Sequence, residues 1–421
     1  MLYLFIGLLQ HVTFRIYFKH IHVTNLKYIP YNKPVVIACN HPGAFMDPCL
    51  IGSMLHKPIY YTARGDLFKN PVASWFLTAL HIKPVFRLEE GFENLSKNFK
   101  TIEMLSAILK KNGIVLIFSE GMSSLDRRLH PLRKGTAKIF MQIALENDLD
   151  IQLYASGMTY THKKNFRKSV ICSISKPLFL KDYLSDFTAH QQHAYRTFSK
   201  ELAHRIAENF VVVNHPECDE LVDQQINYYC NSEKLPPLPI VIHNGKKLAL
   251  LQNVSNRINN LFKQDTPKFE QLQKNTNTYE RALVENQISD YGLANKPLTS
   301  SQILRLIAAL PFSIPGFYFW GLPYLIAKKI ADTKVTRIDF YDSVLMTSLA
   351  FIFAIHVILN QILLSVFIGW WSFLIWLIAP VLGEFAFWTY DAIIHHQQVL
   401  KAQKCPTKGA IFNLRQKVHD F

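Results

Sequence analysis

Val35-Val36-Ile37-Ala38-Cys39, followed at once by Asn40-His41-Pro42-Gly43-Ala44-Phe45-Met46-Asp47, is the stretch on which the fold turns. Five apolar residues in a row, three of them β-branched and none alternating with a polar residue, read as a strand buried on both faces. That is the habit of a parallel sheet. Pro42 and Gly43 then break the strand, and Asp47 falls in the first turns of a following helix. Ligand chemistry in α/β sheets gathers at such carboxyl ends of strands.

Outward from this strand, Pro58 to Thr62, Gly113 to Phe118, Ile151 to Gly157 and Val170 to Ser175 are further short apolar runs, and residues 71 to 80, 92 to 111 and 134 to 147 have helical periodicity. The alternation predicts an α/β domain with a mostly parallel sheet and flanking helices, followed by a helical accessory region and a C-terminal transmembrane helical hairpin.

The chain has 421 residues, enough for two or three units at about 150 residues each. Apolar residues make up 49% and charged residues 18%, which excludes disorder, and a mean hydropathy of +0.07 makes membrane contact an option. Net charge is 46 − 31 = +15, which suits anionic partners. No nucleic-acid reader motif accompanies it, and the basic residues flank apolar segments, so no nucleic-acid partner is expected. The six cysteines are scattered without a C-x-x-C pair, as expected of a reducing compartment.

Five regions follow. Residues 1–28 carry no acidic residue, while Leu2, Phe5, Leu8, Leu9, Phe14 and Phe18 recur at helical spacing. They predict an amphipathic helix lying on an anionic leaflet and retained in the mature chain. Residues 29–189 are the α/β domain, in which a catalytic site is expected, and 190–300 a polar helical accessory region. Residues 301–392 hold the membrane segments: 306–326, interrupted by three prolines and read as re-entrant or interfacial, and a hairpin over 344–388 that turns at Gly369, Trp370 and Trp371. Residues 393–421 are a basic tail. Lysines and arginines on both flanks of the hairpin put both its ends, and the catalytic domain, in the cytoplasm.

His41 and Asp47 are the first candidates for chemistry. A carboxylate accepting from one imidazole nitrogen fixes the tautomer and leaves the other nitrogen free as a base. A further cluster follows the 113–118 strand: Ser119, Glu120, Gly121, Met122, Ser123 and Ser124, then Arg127, Arg128, Arg133 and Lys134, whose freed N–H groups, hydroxyls and cations suit a phosphate. No metal-ligand spacing is present near either cluster.

In their order and separation, with Ile82 to Arg87 between them, these segments resemble the glycerolipid acyltransferase family, the glycerol-3-phosphate and lysophosphatidate acyltransferases, over roughly Ile29 to Leu178. The resemblance implies that His41 and Asp47 form the catalytic dyad, in the form with five intervening residues. It matches Arg87 to the arginine that binds the substrate phosphate, and Phe118, Glu120 and Gly121 to a third block, with Ser123 nearby, in which Ser119 stands where the family usually has proline. A fourth block is matched only loosely by Ala155 to Tyr160. It further implies a membrane enzyme that moves an acyl group from coenzyme A or an acyl carrier protein to a phosphorylated glycerol acceptor, with no cofactor or metal. The alternatives are O-acylation of another lysophospholipid or an aminolipid, and a non-enzymatic lipid-binding membrane protein.

Overall fold

The computed structural model describes residues 2–86, 98–236 and 238–419. Strands β1 (His20–Thr24), β2 (Val35–Cys39), β3 (Ile59–Arg64), β4 (Ile82–Val85), β5 (Ile114–Phe118), β6 (Gln152–Tyr160), β7 (Ser169–Phe179) and β8 (Val241–Ile242) form one sheet in the order β4-β3-β5-β2-β6-β7-β1-β8. Every pairing is parallel except the β6–β7 hairpin. The strand that decides the fold, β2, lies between β5 and β6. Its alternate side chains enter different cores: Val35, Ile37 and Cys39 face one, Val36 and Ala38 the other. Being covered on both sides is why the run needs no polar residue.

Helices α1 (Leu2–Tyr17) and α2 (Met46–Met54) cover the Val35 face. On the opposite face lie α4 (Asn98–Lys110) and α5 (Gly135–Asn147), while α3 (Pro71–Ala79) connects β3 to β4. The short α6 (Leu184–Ala189) leads into α7 (Gln191–Ala207), which also packs on the Val36 face. Beyond them come α8 (Asp219–Ser232), α9 (Lys246–Gln264), α10 (Thr266–Glu285) and α11 (Asp290–Ala294).

Four sequence expectations change. Residues 1–28 are not one interfacial helix: α1 ends at Tyr17, buries Phe14, Ile16 and Tyr17, and is followed by β1 in the sheet. Its apolar face is wide enough to serve the protein's own core, and only Leu4, Phe5 and Leu8 are left exposed. The accessory region is not separate from the catalytic sheet, because Val241–Ile242 adds an edge strand beside β1. The 306–326 segment does not double back. It is part of one helix, α12 (Ser300–Gly316) running through a π turn at Phe317–Gly321 into α13 (Leu322–Lys334). The prolines do not end the helix, which continues through the π turn, and Gly316 lets it pack closely against the Leu382 backbone. Finally, residues 393–421 are no free tail. They complete α15 (Ile375–Gln403) and form α16 (Lys408–His419), whose Ile411 and Val418 are buried with Tyr228 and Tyr279.

The hairpin is α14 (Ile338–Ile368) and α15, joined at Gly369–Leu374, where Gly369 takes a φ of 59° that suits glycine. Stretches 300–334 and 338–403 are each long and apolar enough, by length and composition, to cross a membrane. The first half of α14 is nevertheless protein core: Leu345, Met346, Leu349, Ala350 and Phe353 are buried with Met46, Leu50 and Ile51 of α2. Between Ile355 and Ile378 the hairpin presents most of its apolar side chains to the outside, Ile355, Leu359, Ile362, Leu363, Val366 and Leu377 among them, while Val357 and Ile375 stay buried.

At Gly157 of β6 a Cβ would collide with the Asn209 backbone, so Gly157→Ala is expected to destabilise the fold by about 1–3 kcal/mol, lowering the Tm by several degrees. Gly135→Ala, where nothing lies within 4 Å, serves as the control. Equal Tm values for the two variants would contradict this close approach.

Candidate active site

The register of the sheet assembles the site. Cys39 pairs with Phe118 of β5 on one side and Ser156 of β6 on the other, so three strands end or pass together where the 40–47 loop begins. Asn40 ties this loop to β6: its Oδ1 accepts the Met158 N–H at 2.7 Å and its Nδ2 donates to the Met158 carbonyl at 3.1 Å.

His41 Nδ1 lies 2.8 Å from Asp47 Oδ2. The Gly43 N–H donates to the same oxygen at 2.7 Å, and the Tyr160 hydroxyl donates to Oδ1 at 2.5 Å. Asp47 is fully buried, so its charge is held by these three donors and by the N-terminal turn of α2. Gly43 must be glycine here, since a Cβ would stand 2.5 Å from Asp47 Oδ1 and 2.6 Å from the Tyr160 hydroxyl. The imidazole stacks on Phe118, with ring centroids 3.7 Å apart and planes 13° from parallel. With Nδ1 donating to the carboxylate, the ring is fixed in plane and tautomer, and Nε2 is the nitrogen left for chemistry.

His41 borders a cavity of about 1960 Å³, above the usual 300–1,000 Å³ of a small-ligand site. One part is apolar, walled by Tyr3 and Gly7 of α1, Gly52 of α2, Phe76 and Leu80 of the α3 segment, and Val85. Another part is bordered by Gly121, Ser123, Arg133, Lys134 and Lys138, with Gly135 and Thr136 of the α5 N-terminus. The Ser123 Oγ is buried and has no hydrogen-bond partner among the described residues, so it is a polar atom that a ligand in the cavity could engage. Among the described residues, no three His, Cys, Asp or Glu side chains are grouped so as to hold a metal ion.

Glu120 is 5% exposed, and its Oε2 accepts the His130 N–H at 2.9 Å. Burial pushes its pKa up, while the backbone N–H groups of His130 and His41 draw it back down. Glu120 therefore ties the 119–134 loop to the loop that carries His41, whereas Gly121 and Ser123 border the cavity. The basic cluster divides as well. Arg127 pairs with Asp223 at 2.8 Å and donates to the Tyr160 carbonyl, and Arg128 pairs with Asp219 and Asp126, so these two arginines anchor α8. Arg133 and Lys134 are the members of the cluster that reach the cavity. Arg87 lies outside the described residues; Val85 and Phe86, just before it, line the cavity.

Tyr160 and Asn40 were not legible as site residues in the sequence. Asn40 stands beside His41 in the first block, and the signal for Tyr160 was the loosely matched fourth block, which β6, parallel to β2, brings against the dyad.

Residues 20–158 match the Acyltransferase family model. Over 120 residues the chain is 31% identical to the 1-acyl-sn-glycerol-3-phosphate acyltransferase of Bacillus subtilis (strain 168), a match covering 28% of this chain and 55% of that protein. The chain thus aligns over about half the length of that relative. The crystal structure of the 1-acyl-sn-glycerophosphate (LPA) acyltransferase PlsC from Thermotoga maritima is similar at a TM-score of 0.33 and 21% identity, covering 45% of this chain and 71% of that one. The family and curated matches bear out the resemblance to glycerolipid acyltransferases read from the sequence. The family match ends ahead of the accessory helices and of α12 to α15.

Tyr160→Phe keeps the shape of the side chain and removes one of the three donors to Asp47. It is expected to lower kcat by about 10-fold, the loss of one hydrogen bond to a charged group, with circular dichroism unchanged. Unchanged kcat would show that the other two donors suffice.

Proposed function

We propose that the protein is a membrane-bound acyltransferase that moves a fatty acyl group from an acyl thioester to a hydroxyl of glycerol-3-phosphate or lysophosphatidate. The observation that carries this reading is the buried His41–Asp47 pair, 2.8 Å apart, on a cavity that is apolar in one part and cationic in another. The apolar part suits acyl chains. The cationic part, with Arg133, Lys134, Lys138 and the N-terminal turn of α5, suits the acceptor phosphate, and Arg87 joins them by its place in the second sequence block.

In this reaction His41 Nε2 takes the proton of the acceptor hydroxyl as its oxygen attacks the thioester carbonyl. The C–O bond forms, the tetrahedral intermediate collapses with cleavage of the C–S bond, and the departing thiolate takes its proton from the imidazolium. Asp47 holds the tautomer at the start and stabilises the imidazolium midway. General-base assistance supplies about 10²- to 10⁴-fold, with the rest from positioning and charge stabilisation. The donor is coenzyme A or an acyl carrier protein; both are anionic and suit the +15 chain.

His41→Ala is expected to reduce turnover by at least about 10³-fold in protein of wild-type abundance, assayed with an acyl thioester and each acceptor in turn. Near-normal turnover with either acceptor would overturn the mechanism.

The exposed apolar surface of α12 to α15, with Leu4, Phe5 and Leu8 of α1, is the part we assign to the bilayer, with the catalytic domain on the cytoplasmic side. With the native cysteines replaced, Gly369→Cys in sealed vesicles is expected to resist an impermeant thiol reagent on the cytoplasmic face and to react with a permeant one. Labelling by the impermeant reagent on that face would put the hairpin tip in water and contradict the assignment.

A further inference from the structure

The loop that carries the dyad is not self-sufficient. Between Gly43 and Met46 the chain makes a tight turn in which the Met46 N–H donates to the Gly43 carbonyl at 2.9 Å. Ala44, inside it, has a φ of 45°, a left-handed conformation that is unfavourable for a residue with a Cβ. The same loop must hold the Gly43 N–H against Asp47 Oδ2, so a shift of this turn is a shift of the carboxylate.

A side chain from far along the sequence closes the turn. Ser343 Oγ, on α14, donates to the Gly43 carbonyl at 2.6 Å and accepts from the Met46 N–H at 3.0 Å. Ser343 is fully buried, and it bonds this loop where a helical serine ordinarily turns to its own helix, as exposed Ser365 does with the Ile362 carbonyl. The residue before it reaches the other oxygen of Asp47 by a second route. Asp342 accepts from the Tyr17 hydroxyl at 2.7 Å and pairs with buried Lys168, whose Nζ lies 4.3 Å from the centroid of the Tyr160 ring. Tyr160 in turn donates to Asp47 Oδ1. Two neighbouring residues of α14 thus lead to both oxygens of the catalytic carboxylate, Ser343 through the Gly43 turn and Asp342 through Lys168 and Tyr160. Phe340, a turn earlier, packs edge-on against Phe45 at 5.6 Å. Phe340, Asp342 and Ser343 lie about 180 residues beyond the end of the match to the acyltransferase family model at residue 158.

We infer that Ser343 is a positioning residue for the His41–Asp47 dyad, and that the catalytic loop is complete only while the apolar helix α14 is docked on it. The inference rests on the dyad acting as proposed above. It makes α14 more than an anchor, because the helix that leads into the exposed hairpin also sets the geometry of the base.

The test is a cycle in the full-length, membrane-bound protein. Ser343→Ala is expected to lower kcat by about 10-fold or more and to leave the KM of donor and acceptor within about two-fold, since a small displacement of a catalytic group costs that much. Ser365→Ala, which removes a hydroxyl from the exposed end of the same helix, is expected to leave kcat unchanged. In an Asp47→Asn background, where the positioned carboxylate is gone, Ser343→Ala should cost less than about two-fold, because the two changes act through one group. A general loss of folding would instead reduce activity by the same factor in both backgrounds. An equal factor in both backgrounds, or a Ser343→Ala kcat within about two-fold of wild type, overturns the inference while leaving the dyad standing. Near-normal activity of Asp47→Asn itself overturns the dyad, and this inference with it.

Discussion

A carboxylate with no exposure to solvent is the constraint that the rest of the structure serves. Asp47 sits in the first turn of α2, and burying its charge is unfavourable unless every lone pair finds a donor. The donors come from three places: the His41 ring, the backbone of Gly43 and the Tyr160 hydroxyl. Each imposes a condition elsewhere. The Tyr160 hydroxyl requires β6 beside β2, the Gly43 amide requires a turn with a left-handed alanine, and the histidine requires a flat surface, which Phe118 provides. The parallel register of β2, β5 and β6 satisfies the first and last together.

Around that centre the molecule divides its faces by chemistry. The Val36 side of the sheet is closed by α4, α5 and α7 as an ordinary α/β core. The Val35 side is shared by α1, α2 and the buried half of α14, which then continues into the apolar hairpin. The cavity is lined by residues of all three elements, among them Tyr3 of α1, Gly52 of α2 and Phe351 of α14.

What was legible in the sequence, and what was not, follows from how far apart the interacting residues lie. Strand β2, the turn at Pro42-Gly43 and the pairing of His41 with Asp47 are local, and spacing with turn chemistry suffices to read them. Strand β1 was missed because His20 and His22 interrupt its apolar run and it touches no sequential neighbour, pairing instead with β7. Tyr160 looks like a strand residue until β6 is seen lying against α2. Ser343 stands 300 residues from Gly43, at the edge of the apolar run that begins at Val344, and only tertiary packing turns its hydroxyl toward the loop. Hydropathy misread the first half of α14 and the second half of α1, because it cannot distinguish a protein core from a bilayer. Arg127 and Arg128 looked like phosphate ligands for a related reason: their acidic partners on α8 are some 90 residues away.

The most direct test of this account is an experimental structure with a non-reactive acyl-thioether and glycerol-3-phosphate bound together. The account places the acceptor hydroxyl within about 2.6–3.2 Å of His41 Nε2, with the acyl chain along Tyr3 and Gly52 and the phosphate beside Lys134. An acceptor bound with its hydroxyl out of reach of His41, or an acyl chain lying outside this cavity, would contradict it.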